Sequence, residues 1–176
     1  MNEKMVSIIA PVYCEESNLG EFYRRLKAAL AKTPQISHEI IFINDASRDS
    51  SLAVIKAFAD SDKNVRYITF ARNFGHQAAI TAGLEAAKGG AAIIIDSDLQ
   101  DPPELIPDML SKWEAGFEVV YGVRARRLGE SLMKRATAAV FYRLLNRLSD
   151  IKMPQDAGDF RLIDRKVLDA LNALPE

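Results

Sequence analysis

Asp96 and Asp98 stand one residue apart, directly after the apolar run Ile93-Ile94-Ile95, and Leu99-Gln100-Asp101-Pro102-Pro103 follow them. On an extended chain, residues i and i+2 point the same way, so the two carboxylates are expected to converge at a strand end. Converging carboxylates repel unless a cation lies between them. Oxygen ligands suit Mg2+ or Mn2+, ions that bind through one or two carboxylates plus phosphate oxygens and water. Gln100, again two residues on, can add a carbonyl oxygen, so Asp96, Asp98 and Gln100 are the candidate metal ligands. A polar loop that opens a helix at Pro102 would account for the same residues without a metal.

Three more polar segments follow apolar runs. Pro11-Val12-Tyr13-Cys14-Glu15-Glu16 combines a stiff proline, an aromatic ring and a carboxylate, which could stack on a nucleobase and hydrogen-bond it. Acid enrichment at a helix N-terminus is the plainer account. In Asn44-Asp45-Ala46-Ser47-Arg48-Asp49, Asp45 either accepts from a base or ribose or belongs to a turn and cap. In Ala71-Arg72-Asn73-Phe74-Gly75-His76 the histidine reads as a surface or capping residue. His38 is remote and no cysteine is near, so a zinc site is not expected. Neither Gly-x-Gly-x-x-Gly nor a Gly-Lys-Ser/Thr phosphate loop occurs, which excludes those two nucleotide-binding devices.

The elements that must position these residues alternate between strand and helix. Apolar runs at Met5–Ala10, Glu39–Ile43, Val65–Phe70, Ala91–Ile95 and Phe117–Tyr121 have strand length, with a further short run at Phe160–Leu162. Between them lie helical patterns: Leu19–Leu30 capped by Ser17 or Asn18 with Glu21 in reach, Ser50–Ala59, Gln77–Ala87 ended by Gly89-Gly90, and one opened by Pro102-Pro103. A long amphipathic helix is expected over Glu130–Leu148. This order predicts an α/β fold with a mostly parallel central sheet and helices on both faces, its ligands beyond the carboxyl ends of the strands.

At 176 residues the chain is expected to be one domain, and 48% hydrophobic with 27% charged residues excludes disorder, collagen and a disulfide scaffold. Cys14 is the single cysteine, and no uncharged apolar run approaches the ~18 residues of a membrane span. The chain as given is therefore expected to be soluble. The net charge of −1 argues against bulk nucleic-acid binding, yet it hides two blocks. Asp96, Asp98, Asp101, Glu104, Asp108, Glu114 and Glu118 face only Lys112; Arg124, Arg126, Arg127, Lys134, Arg135, Arg143 and Arg147 face only Glu130. Adjacent blocks of opposite sign suit a site handling a cation and an anion together, or simply two solvated faces.

Taken in order, Pro-Val-Tyr-x-Glu-Glu, Asn-Asp-x-Ser-x-Asp, Ala-Arg-Asn-Phe-Gly, Asp-Ser-Asp-Leu-Gln-Asp-Pro-Pro and Gly-Asp-Phe-Arg-Leu resemble the GT-A glycosyltransferases of family 2. Within them the chain is most similar to the bactoprenol (polyprenyl-phosphate) glucosyltransferase group, related to dolichyl-phosphate mannose synthase. The resemblance implies a GT-A, nucleotide-diphospho-sugar transferase fold and an inverting transfer of a hexose, glucose first, from a UDP-sugar to undecaprenyl or another polyprenyl phosphate. It implies that Pro11, Tyr13, Glu15, Asp45, Asp96 and Ser97 hold the nucleotide sugar, while Asp96, Asp98 and Gln100 hold Mg2+ or Mn2+. Arg124, with Arg126, Arg127 and Lys134, would face the acceptor phosphate, and Asp159 matches the position proposed as base. Three departures are visible: Cys14 for a usual Asn, Asn44 for a usual Asp and Ala46 for a usual Gly.

Such proteins continue past Glu176 into an acceptor segment and membrane helices, so residues 1–176 look like a GT-A catalytic-domain fragment. The implied setting is the cytoplasmic face of a bacterial inner membrane, with the basic face of Glu130–Leu148 toward the membrane surface and a homo-oligomer among the partners. A GDP-mannose or UDP-aminoarabinose polyprenyl-phosphate transferase and a non-catalytic sugar-nucleotide-binding fragment remain open. A haloacid-dehalogenase-like phosphatase also carries Asp-x-Asp after a strand, but after its first strand and followed by Thr or Val. Here the pair follows the fourth, and Leu99-Gln100 comes next.

Overall fold

Each inner strand carries apolar side chains on both faces, and that double burial sets the architecture. A computed structural model describes residues 2–123 and 157–174. The chain divides into two compact units, Met1–Tyr121 with Asp159–Glu176, and Gly122–Gly158. Almost all of the second lies outside the described residues, and with it the expected helix over Glu130–Leu148 and Arg124, Arg126, Arg127 and Lys134. The first unit holds the sheet.

The strands are β1 (Asn2–Val12), β2 (Ser37–Asn44), β3 (Val65–Thr69), β4 (Gly89–Ile94), β5 (Val119–Val123) and β6 (Ala157–Asp164). Their order across the sheet is β3-β2-β1-β4-β6-β5. β1 pairs in parallel with β2, from Met5 opposite Ser37 to Val12 opposite Asn44, and with β4, where Ile9 lies opposite Ile94. β2 and β3 are also parallel. β6 breaks the pattern and runs antiparallel to β4, with Ile94 opposite Arg161 and Ala91 opposite Asp164.

Alternation along the strands divides the core into two layers. Val6, Ile8, Ala10, Ile40, Phe42, Ala91, Ile93 and Ile95 face one layer; Ile9, Ile41, Ile43, Ala92 and Ile94 face the other. The first layer is closed by α1 (Glu16–Leu30) through Leu19, Phe22 and Leu26, by α2 (Ser51–Ser61) through Ile55, and by α4 (Ile106–Glu114) through Met109 and Leu110. The second is closed by α3 (His76–Ala86) through Ala79, Ile80 and Leu84, and by α5 (Arg165–Asn172) through Leu168. The mostly parallel, double-faced sheet expected from the sequence is therefore present. Among the described residues no helix is long and apolar enough to cross a membrane.

Several boundaries differ from the sequence reading. α1 starts at Glu16 with Glu15 as its N-cap, so Ser17 and Asn18 lie in its first turn. Tertiary contacts set this start. The Glu15 N–H donates to Ser51 Oγ (2.9 Å) and the Glu16 N–H to Asp49 Oδ2 (3.1 Å), while Glu21 pairs with Arg24 instead of reaching back. Gly89-Gly90 open β4 and do not end α3, which is capped by Ala87 in an extended conformation. The reason is steric: a Cβ on Gly89 would sit 2.7 Å from Met5 O and from Ser7 N of the neighbouring strand. Pro103–Leu105 form a 3-10 turn that leads into α4. α5 was not expected; Asp164 caps it by accepting the Lys166 N–H (2.9 Å) and also takes a hydrogen bond from Trp113 Nε1 (2.7 Å).

α3 lies against the sheet at Gly83, where an added Cβ would collide with the side chain of Ile9 and come within 2.8 Å of Ile43 Cδ1. Gly83→Ala gains about 1 kcal/mol of intrinsic helix propensity. Overpacking should outweigh that gain and leave a net loss of about 1–2 kcal/mol. A chemical-denaturation midpoint equal to or above that of the parent chain would contradict this packing.

Candidate functional site

Parallel pairing brings the carboxyl ends of β1, β2 and β4 to one edge of the sheet, and the loops leaving them surround a cavity of about 240 Å³. Pro11, Val12, Tyr13 and Glu15 line it from the β1–α1 loop, and Asp45 from the end of β2. Asn73, Gly75 and His76 enter from the β3–α3 loop, and Asp96, Ser97 and Asp98 from beyond β4. Of the residues expected at a nucleotide-sugar site, Pro11, Tyr13, Glu15, Asp45, Asp96 and Ser97 thus share one cavity, and Asp98 joins them. Gln100 is exposed and does not line it.

Local chemistry explains each placement. Tyr13 presents an exposed ring at the cavity. Glu15 Oε2 accepts from Asn18 Nδ2 (2.6 Å), which holds the carboxylate over the start of α1. Asp45 is buried, and its two oxygens accept the backbone N–H groups of Phe74 (2.7 Å) and Gly75 (2.9 Å). Its carboxylate therefore pins the β3–α3 loop in addition to lining the cavity. Ser97 is buried and donates through Oγ to Pro11 O (2.9 Å), tying the loop after β4 to β1. Asn44, at a position where family resemblance leads one to expect Asp, uses both ends of its amide: Nδ2 donates to Thr69 Oγ1 (2.8 Å) and Oδ1 accepts the Ser47 N–H (3.2 Å).

The convergence of Asp96 and Asp98 does not come from an extended strand. β4 stops at Ile94, and Ser97-Asp98 lie in a turn in which Asp98 Oδ1 accepts the Gln100 N–H (2.9 Å) and Leu99 adopts φ 67°. A further carboxylate approaches Asp96 from the other side of the sheet edge through β6. Continuing the β4–β6 register by two residues sets Asp159 opposite Asp96. His76 closes the group: its Nε2 lies 3.3 Å from Asp159 Oδ2 and 3.6 Å from Asp96 Oδ1. Arg161 Nη2 lies 3.0 Å from Asp159 Oδ1.

Asp96 Oδ1 is buried and has no hydrogen-bond partner among the described residues. Burial pushes the Asp96 carboxyl up; His76 opposes that, and the charges of Asp101, Asp98 and Asp159 reinforce it. An oxygen in this position lacks a donor or a cation. Among the described residues no group of three or more His, Cys, Asp or Glu side chains could hold a metal ion. Any ion here would complete its shell from a ligand and water.

His76 is the site residue that sequence reasoning missed as such. A histidine after glycine at a helix start carries no signal beyond its place after β3. Only the antiparallel return of β6 reveals what it faces.

Residues 7–171 match the family model described as glycosyl transferase family 2. An uncharacterised glycosyltransferase of Bacillus subtilis is 51% identical over 170 residues, 97% of this chain and 52% of its own length. The bactoprenol glucosyl transferase of Shigella phage SfV is 42% identical over 171 residues, 97% of this chain and 55% of its own. The chain thus spans about half the length of these curated relatives. Among solved structures, a mannosyltransferase of Pyrobaculum calidifontis in complex with GDP-Man and Mn2+ superposes with a TM-score of 0.67 at 18% identity, covering 99% of this chain and 48% of that one. The fold is GT-A, as the motif order implied.

Among the described residues, three other than glycine have positive φ, and all lie in the loops around the cavity: Cys14 (58°), Ala46 (53°) and Leu99 (67°). The left-handed region costs an L-residue about 1–2 kcal/mol. Two of the three, Cys14 and Ala46, are positions where the family pattern has Asn and Gly, the residues that tolerate this region best. Ala46→Gly should therefore raise stability by roughly 0.5–1 kcal/mol, once the greater chain entropy of unfolded glycine is subtracted. Thermal unfolding measures the change, and a lower Tm would show that Ala46 is unstrained.

Proposed function

The chain belongs to glycosyl transferase family 2, and we propose that it transfers a hexosyl group, glucose in the first instance, from a UDP-sugar to a polyprenyl phosphate with inversion at the anomeric carbon. The observation that carries this reading is the buried Asp96 oxygen, without a hydrogen-bond partner among the described residues, in a cavity that Tyr13, Glu15 and Asp98 also line. Support for the acceptor comes from the relatives named bactoprenol glucosyl transferase.

Tyr13 offers a ring face to the nucleobase, and the Glu15 carboxylate an acceptor for its N–H groups. Asp96 and Asp98 fit a divalent ion, Mg2+ or Mn2+, because such ions bind through one or two protein carboxylates plus phosphate oxygens. When bound, that ion stabilises the charge developing on the leaving nucleoside diphosphate as a Lewis acid. Gln100 would have to turn inward from its exposed position to join it. Asp159, on β6, lies 3.3 Å from His76 of the cavity lining and takes the role of candidate base or acceptor-orienting carboxylate. Arg124, Arg126, Arg127 and Lys134 are assigned to the acceptor phosphate from the sequence pattern, and a membrane surface bearing that lipid is the implied partner.

Titrating the chain with UDP, GDP and their sugars, with and without Mn2+, tests the donor assignment. At about a hundred times Kd a ligand adds about 2.7 kcal/mol. For a domain of this size that corresponds to a rise of roughly 5–10 °C in Tm. The rise is expected with UDP and metal together, and Asp96→Asn should abolish the metal-dependent part. A chain that responds to no nucleotide, or equally with and without metal, would refute the reading.

The acceptor's second phosphate pKa is near ~6, so at neutral pH its nucleophilic oxygen is already ionised and a base contributes little. Below that pKa the monoanion must lose a proton. Asp159→Asn should therefore slow transfer more at mildly acidic than at mildly alkaline pH. Equal slowing across that range, with acceptor binding intact, would assign Asp159 to orientation alone.

A further inference from the structure

His76 is the first residue of α3, and its backbone is fixed from two directions. The preceding Gly75 has φ 95°, and its N–H is held by Asp45 Oδ2 while Asp45 Oδ1 holds the Phe74 N–H. Further along the helix, Gly83 seats α3 tightly on Ile9 and Ile43. The ring is thereby aimed between two carboxylates, one on β6 and one just beyond β4, 3.3 Å from Asp159 Oδ2 and 3.6 Å from Asp96 Oδ1.

Asp159 is flanked on both oxygens, by His76 on Oδ2 and by Arg161 Nη2 on Oδ1. A nitrogen group beside each oxygen limits the rotation of a carboxylate about its Cβ–Cγ bond, which a group on one side alone leaves freer. Removing the imidazole would take away the group that stands beside both Asp159 Oδ2 and Asp96 Oδ1. The Asp159 charge acts against that of Asp96, so without the imidazole Asp159 would turn away. An imidazole carrying its proton on Nε2 suffices for this role without any change of charge.

We infer that His76 is a positioning residue, holding Asp159 in the reactive orientation beside Asp96. The inference rests on the proposed transferase reading and adds to it a residue that the motif pattern does not assign. It is a claim about orientation, so it separates the rate of transfer from the binding of the donor.

The test combines a spectroscopic readout with kinetics on the whole 176-residue chain. The chain holds two histidines, so the ring-nitrogen NMR signals of His76 are identified by their loss in His76→Gln. At mildly alkaline pH the Nε2-protonated tautomer is expected at His76, and Asp159→Asn should displace its Nε2 resonance while leaving His38 unmoved. In kinetics at mildly acidic pH, where Asp159 contributes most, His76→Ala should lower kcat by about 10- to 100-fold, the cost typical of a misplaced reacting group, with KM for the UDP-sugar nearly unchanged. His76→Gln, whose side-chain amide nitrogen reaches as far as Nε2, should restore most of the rate.

A His76 resonance indifferent to Asp159→Asn would overturn the inference whatever the turnover, as would an unchanged kcat in His76→Ala or no recovery in His76→Gln. Loss of UDP binding in His76→Ala with kcat intact would also overturn it, because the residue would then serve the donor. The Tm response of the parent chain to UDP separates the two claims. No response removes the transferase reading and this role with it; a normal response with an indifferent His76 removes only this role.

Discussion

A carboxylate oxygen buried without a donor governs the chemistry at the head of this sheet. Asp96 Oδ1 has lost its water and gained no hydrogen bond among the described residues, and burial raises its pKa against the partial help of His76. Such an oxygen is costly in isolation, because an ionised carboxylate out of water needs a compensating charge. Proteins keep arrangements of this kind where a ligand supplies that charge. The surrounding geometry follows from this need: an open cavity on one side, a second carboxylate across the β4–β6 pair, and an imidazole between them.

The rest of the fold maintains that arrangement from a distance. Two apolar layers hold β1, β2 and β4 in parallel register, so their ends are coplanar and their loops meet. At the opposite edge, buried Glu39 accepts from Ser7 Oγ (2.6 Å), from the Lys88 N–H (2.8 Å) and from Arg66, and so locks β1, β2 and β3 to the turn before β4. At the cavity edge the loops interlock through side-chain-to-backbone bonds. Asp45 grips the β3–α3 loop, Ser97 grips β1, and Ser47 accepts the Cys14 N–H (3.0 Å). These bonds allow three left-handed residues to persist at the rim, since a surrounding structure that over-determines the backbone can hold strain of order 1–3 kcal/mol.

Several polar residues at this edge both line the cavity and hold the structure together. Asp45 lines the cavity and also satisfies two backbone donors, so replacing it would both change the cavity wall and free the loop that carries His76. The same coupling makes α3 part of the site even though its buried face is ordinary core. A shift of that helix on the sheet moves the imidazole relative to both carboxylates.

The sequence by itself determined the strand–helix alternation, the two-sided burial of the inner strands and the family, because apolar periodicity and ordered motifs are local properties. It also located Pro11, Tyr13, Glu15, Asp45, Asp96, Ser97 and Asp98 at strand ends, and a parallel sheet brings strand ends together. Boundaries such as the start of α1 at Glu16 were not legible, since Asp49 before α2 and Ser51 at its start decide them. Nor was the pairing of Asp96 with Asp159 and His76. It depends on β6 returning antiparallel beside β4, a register between segments more than sixty residues apart in sequence that no local pattern encodes. Only the tertiary structure could decide that an unremarkable histidine at the start of a helix faces the two carboxylates on which the site turns.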